Sequence, residues 1–167
     1  MSSDSVSFTL THGGGRAWEQ HWSRMLQGHR KLSAIYDGTT PLGSTEEWEA
    51  LVVTFFGGCH HMGDWFKRDP ALSQAAQDDA LPYLHADPDL RLAAAISNTA
   101  KHMERAQPTD MTAYILDVSS GGSLTMAWDV QGQRQGTRDA LDLADACLAS
   151  WRRFMQTHQL TEPALPS

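Results

Sequence analysis

At 167 residues, with 41% hydrophobic and 20% charged residues, the chain can bury a self-sufficient core and has the composition of a globular protein. It contains no run of ~18 apolar residues, as a membrane helix requires, and Met1-Ser2-Ser3-Asp4-Ser5 lacks the basic and apolar regions of a secretory signal. A formal net charge of −7 disfavours nucleic acid as a partner, while Cys59 and Cys147, both at apolar helical positions, read as buried free thiols in a reducing cytoplasm.

Val6, Phe8 and Leu10 alternate with polar residues, the pattern of a short strand, and His12-Gly13-Gly14-Gly15 ends it as a turn. His-Gly-Gly-Gly resembles the oxyanion loop of lipase-like hydrolases, but no Gly-x-Ser-x-Gly elbow accompanies it. From Arg16 to about Tyr36, Trp18, Trp22, Met25, Leu26, Leu32 and Ile35 recur at helical spacing. Ser44-Thr45-Glu46-Glu47 is a capping box that starts a long helix at Thr45 and runs it to Asp69-Pro70. Its core stripe is Trp48, Leu51, Val52, Phe55, Cys59, Met62 and Phe66. A second stripe, Val53, Phe56, Gly57, His60, Asp64 and Lys67, begins apolar and turns polar.

Asp69-Pro70 reads as the start of a short helix that stops by Pro82, and Asp87-Pro88-Asp89 as the start of another reaching about Arg105. The period then changes to two over about 112–131, where Ser119-Ser120-Gly121-Gly122-Ser123 separates two strands of a hairpin. The strand near Val6 is the candidate third member. A final helix is expected from about Thr137 to His158, followed by a frayed tail over 161–167. The expected fold is therefore mainly α (α+β): a bundle of four long or medium helices plus one short one, in a single domain over 1–160.

The candidate site is a polar seam between the second long helix and the helix after Asp87. His60 and Asp64 are one turn apart, as are Asn98 and His102, so the four converge if the helices pack together. Lys67, Lys101 and Arg91 then stand near the rim as contacts for substrate or phosphate. His61 is expected on the opposite side in solvent, Trp65 in packing, and His12, His21, His85 and His158 as ordinary surface residues. The favoured function is a binding or oligomerisation module whose seam sets helix register; a homo-oligomer is the candidate partner, with no cofactor and no membrane. A metal site of His60, His61, Asp64 and His102 is an alternative, although Glu-x-x-His and His-Glu-x-x-His patterns are absent.

The pattern Cys59-x4-Asp64-Trp65-x-Lys67, followed by Asn98-x-x-Lys101-His102, resembles an uncharacterised group of bacterial, chiefly actinobacterial, helical proteins. That resemblance covers most of the chain and implies no activity. More remotely, the bundle with a histidine late in one helix is similar to HEPN domains, many of which are ribonucleases. It implies His102 as general acid or base on a ribose 2′-hydroxyl, with Arg91 or Lys101 stabilising the phosphorane without metal. HEPN enzymes carry an arginine before the histidine; here Asn98 stands four residues before His102 and Arg91 eleven before it. Arg24-x4-His29 matches the HEPN pattern literally, but a five-residue step turns the two side chains ~140° apart on a helix.

Overall fold

A computed structural model of the chain describes residues 17–41, 43–101, 111–119 and 122–163. Among these residues it forms α1 (Ala17–Tyr36), α2 (Thr45–Arg68), α3 (Gln74–Ala86), α4 (Pro88–Lys101), β1 (Met111–Val118), β2 (Leu124–Val130), β3 (Gln133–Asp139) and α5 (Ala140–Thr157). The protein is mainly α with a three-stranded antiparallel sheet of order β1-β2-β3. No described helix is long and apolar enough to cross a membrane.

α2 is the central helix. The capping box forms as expected: the Ser44 hydroxyl accepts from the Glu47 amide at 3.3 Å, and the Glu47 carboxylate accepts from the Ser44 amide at 3.0 Å. Its stripe of Trp48, Val52, Phe55, Cys59, Met62 and Phe66 is fully buried, because α1, α3 and α4 all pack along this helix. At its end Phe66 enters an aromatic cluster with Trp18, Trp151 and Phe154, at ring separations of 5.2, 5.6 and 4.9 Å. α4 also covers β1, and α5 lies against β2 and β3, so the sheet joins the bundle through these two helices.

Three expected element bounds are corrected, and the sheet and the tail add two further findings. Asp69 ends α2 instead of starting α3: its Oδ1 accepts from the Ala71 amide at 2.9 Å in a tight turn, and Ser73 caps α3 through the Ala76 amide. α3 also runs through Pro82, which faces solvent while Ala76, Ala80 and Leu84 stay buried on the opposite side. The third strand of the described sheet is β3, a polar edge strand that apolar alternation does not reveal; Val6–Leu10 lie outside the described residues. Its signal is the two-residue turn Gln131-Gly132, with φ of 52° and 76°, the positive values that a tight hairpin needs. β3 occupies residues through Asp139, so α5 starts at Ala140, with Asp139 Oδ1 accepting from the Leu141 and Asp142 amides at 2.8 and 3.1 Å. Finally, the start of the tail is tied down. Glu162 accepts from the Trp22 indole at 3.2 Å and from Arg152 at 3.0 Å.

Candidate functional site

α1 and α2 approach closely at Gly58, where a Cβ would stand 3.0 Å from Met25 Cγ. The missing side chain lets His21 reach the helix backbone, and its Nε2 donates to the Gly58 carbonyl at 2.8 Å. A carbonyl only accepts, so Nε2 carries the proton and a neutral ring keeps Nδ1 as an acceptor. Burial holds the His21 imidazole below its ordinary 6.5, outweighing the Gly58 bond that raises it, and the nearby His61 and Arg24 charges add to the lowering.

Seven residues after Gly58, about two helical turns, Trp65 stands on the same side of α2. Its ring lies 5.5 Å from the His21 ring, tilted by 31°, and the residue remains 39% exposed. His61 and Arg68 flank it at i−4 and i+3, which places all three on one helix face. Together with Ala17, His21 and Asp64 they line a solvent-open cleft of about 610 Å³ that ends at Asp69 and Pro70. Asp64 faces His61 at 3.5 Å, with both side chains about two-fifths exposed (42% and 40%). The carboxylate of Asp69 is held in its turn by Ala71. Arg68 is exposed and has no carboxylate partner among the described residues.

The expected seam is thus rearranged. Asp64 pairs with His61, not His60, because an i,i+3 step brings the two side chains together at the cleft rim. His61 is therefore part of the cleft, and Trp65 is one of its walls instead of a core residue. His60 is half-buried with its ring 4.9 Å from that of His61, whereas Lys67 is exposed beyond the cleft. On α4, Arg91 and Asn98 face solvent, and the buried polar residue is Ser97, whose Oγ would lie 3.6 Å from a Cβ at Gly57. The side chain of Lys101 and the whole of His102 lie outside the described residues. No group of three or more metal-ligating side chains occurs among the described residues. His158 is also no ordinary surface residue: its ring lies 4.5 Å from Phe154, and Nε2 faces Asp79 at 3.4 Å.

His21 is not the ordinary surface residue expected, since it is packed against α2 at Gly58, and Arg68 is a cleft residue that the sequence did not point to. His21 stands one turn after Trp18 at the border of the α1 core stripe, and the Gly57-Gly58 pair inside α2 signals a close approach by another element. Arg68 reads as a favourable charge in the last turn of a helix and nothing more.

The neutral His21 gives a pH-dependent contribution to stability. The unfolded imidazole titrates near 6.5 and the folded one lower, so as the pH is lowered through that range the unfolded chain binds more protons and stability falls. Urea unfolding should show the midpoint of the wild type dropping from pH 7.5 to pH 5 more steeply than that of His21→Gln, which keeps an N–H donor but does not titrate. Parallel pH profiles would mean that His21 is not held neutral.

By fold and site the chain is a mainly α protein whose central helix presents an open, tryptophan-walled cleft beside a neutral histidine. Comparison with family models, with curated proteins and with solved structures finds no match.

Proposed function

We propose that the protein is a non-catalytic binding module and that the α1–α2 cleft takes a small, planar aromatic ligand bearing an acidic group. The observation that carries this reading is the exposure of Trp65, at 39%, beside the Arg68 guanidinium, which has no carboxylate partner among the described residues, in a concave surface of about 610 Å³. Large exposed aromatics in a cleft with a few polar groups are the usual composition of a small-molecule site. The indole supplies a face for stacking, and Arg68 supplies a planar fork for a carboxylate. Asp64 and Asp69 do not compete for that fork, because each is engaged by a neighbour. The ribonuclease and metal alternatives both depend on His102, outside the described residues, and the exposed Arg91 and Asn98 do not line the cleft. The free thiols of Cys59 and Cys147 suit a reducing compartment such as the cytoplasm.

Titration with 1-naphthoate, followed by amide NMR shifts, tests the reading. Shifts are expected to cluster at Ala17, His61, Asp64 and Trp65, to vanish in Trp65→Ala and to persist in Arg91→Ala. Arg68→Gln should weaken binding about tenfold, the loss of one charge-assisted contact of roughly 1.5 kcal/mol. Shifts that map instead to the separate hollow between Arg30, Lys31, Pro41 and Trp48, or no shifts at millimolar naphthoate, would refute it.

A further inference from the structure

His21 gives the cleft a polar group that neither stacking on Trp65 nor pairing with Arg68 uses. Its Nε2 is committed to the Gly58 carbonyl at 2.8 Å, which fixes the tautomer and leaves Nδ1 as the one nitrogen through which this cleft-lining side chain can bond a ligand. Among the described residues Nδ1 has no hydrogen-bond partner, and it is not one of the polar atoms sealed from solvent without one. Burial holds the ring uncharged at neutral pH, so this nitrogen accepts and does not donate. The other side-chain acceptors of the cleft are the Asp64 and Asp69 carboxylates. Each has one oxygen engaged, at His61 and at the Ala71 amide, and their charge opposes an acidic ligand. The His21 ring is tilted by only 31° from the Trp65 ring, so a planar molecule stacked on the indole runs nearly parallel to the imidazole as well. The acceptor lone pair lies in the imidazole plane and therefore meets the edge of such a molecule, where ring N–H groups point.

We propose, resting on the reading of the cleft as an aromatic-acid site, that its ligand class is the aromatic acid with an N–H in the ring, of the indole-carboxylate type, and that Nδ1 of His21 receives that N–H. His21 is then the residue that sets specificity, while Trp65 and Arg68 supply stacking and charge pairing that any flat aromatic acid can use. A ring oxygen in place of the N–H turns a lone pair toward Nδ1, so neither atom carries a proton and the acceptor is left unpaired. The cleft is open to solvent, so the discrimination is that of one water-competed hydrogen bond, about tenfold, and not the far larger ratio of a sealed polar site.

Titration of the wild-type protein at neutral pH with indole-3-carboxylate and with benzofuran-3-carboxylate tests the proposal, because the two acids have nearly the same shape and differ in ring N–H against ring oxygen. Amide shifts at Ala17, His61 and Trp65 locate each ligand in the cleft. The indole acid should bind about tenfold more tightly. It alone should move the nitrogen NMR resonance of His21 Nδ1 in the direction of an accepted hydrogen bond. In His21→Phe, which keeps a ring beside Trp65 but has no acceptor, the two acids should bind alike. The wild-type affinities and the Nδ1 resonance decide the matter even where that variant does not fold. Equal affinities for the two acids in the cleft would overturn the role of His21 and leave the aromatic-acid reading standing. A preference that survives in His21→Phe would also overturn it, with a carboxylate such as Asp64 as the acceptor. Absence of cleft binding by both acids and by 1-naphthoate would remove the reading of the cleft and this inference with it.

Discussion

Trp151→Ala is expected to lower the free energy of unfolding by about 3–5 kcal/mol, the range for removing a large aromatic from a packed core. The side chain is fully buried at the junction of α2, α3 and α5, with ring separations of 5.6 Å to Phe66, 5.9 Å to Tyr83 and 5.6 Å to Phe154. Its indole also ties α5 to the Cys59 carbonyl. Trp151→Phe keeps most of the ring contacts and loses the hydrogen bond, so a smaller loss of roughly 1–3 kcal/mol is expected. Denaturant unfolding of the two variants measures both. A loss below about 1 kcal/mol for the alanine variant would contradict the packing of α5 on α2.

The second large effect belongs to Asp87. Its Oδ1 caps α4 by accepting from the Asp89 and Leu90 amides at 2.9 and 3.1 Å. Its Oδ2 accepts from the Ser150 hydroxyl and from Arg153 at 3.3 Å, so one carboxylate joins the start of α4 to the middle of α5. The Arg153 side chain is 58% exposed, so its pairing adds less than about 1 kcal/mol, and most of the effect comes from the cap and the buried Ser150 bond. Asp87→Ala should cost about 2–4 kcal/mol in denaturant unfolding. Asp87→Asn retains an oxygen for the cap but presents an amide to Ser150 and Arg153, and should recover only the capping part. Equal losses in the two variants would show that the cap contributes nothing.

Much of this fold was legible because the relevant signals are local. Helical spacing and the Ser44–Glu47 box define α2, and the glycine-bearing segment before Leu124 defines the hairpin, through interactions spanning a few residues. β3 was not legible because Gln133–Asp139 has no apolar face; hydrogen bonding to β2 holds it in the sheet. Similarly, Asp69-Pro70 has the composition of a helix start, yet the Asp69 side chain closes a turn onto Ala71. Pro82 is compatible with α3 because its ring points to solvent, a matter of which side of that helix faces the core.

The candidate site divides along the same line. Its location late in α2 and the prominence of Asp64 are readable from the chain, since a carboxylate one turn from a histidine on a largely apolar helix requires an explanation in any fold. Which histidine it faces is not readable. Both His60 and His61 are within helical reach of Asp64, and the side of α2 left open by α1 decides in favour of His61. His21 enters only because Gly58 lets α1 come close enough for a hydrogen bond across 37 positions of sequence. Trp65 could have served either core or cleft by its periodicity, and the packing of the neighbouring helices leaves it partly in solvent. The sequence by itself determined the helices, the capping box of α2 and most of the residues able to do chemistry, because those follow from spacing along one element. Only the tertiary structure decided which of these residues share a space, because that depends on the faces at which separate helices meet.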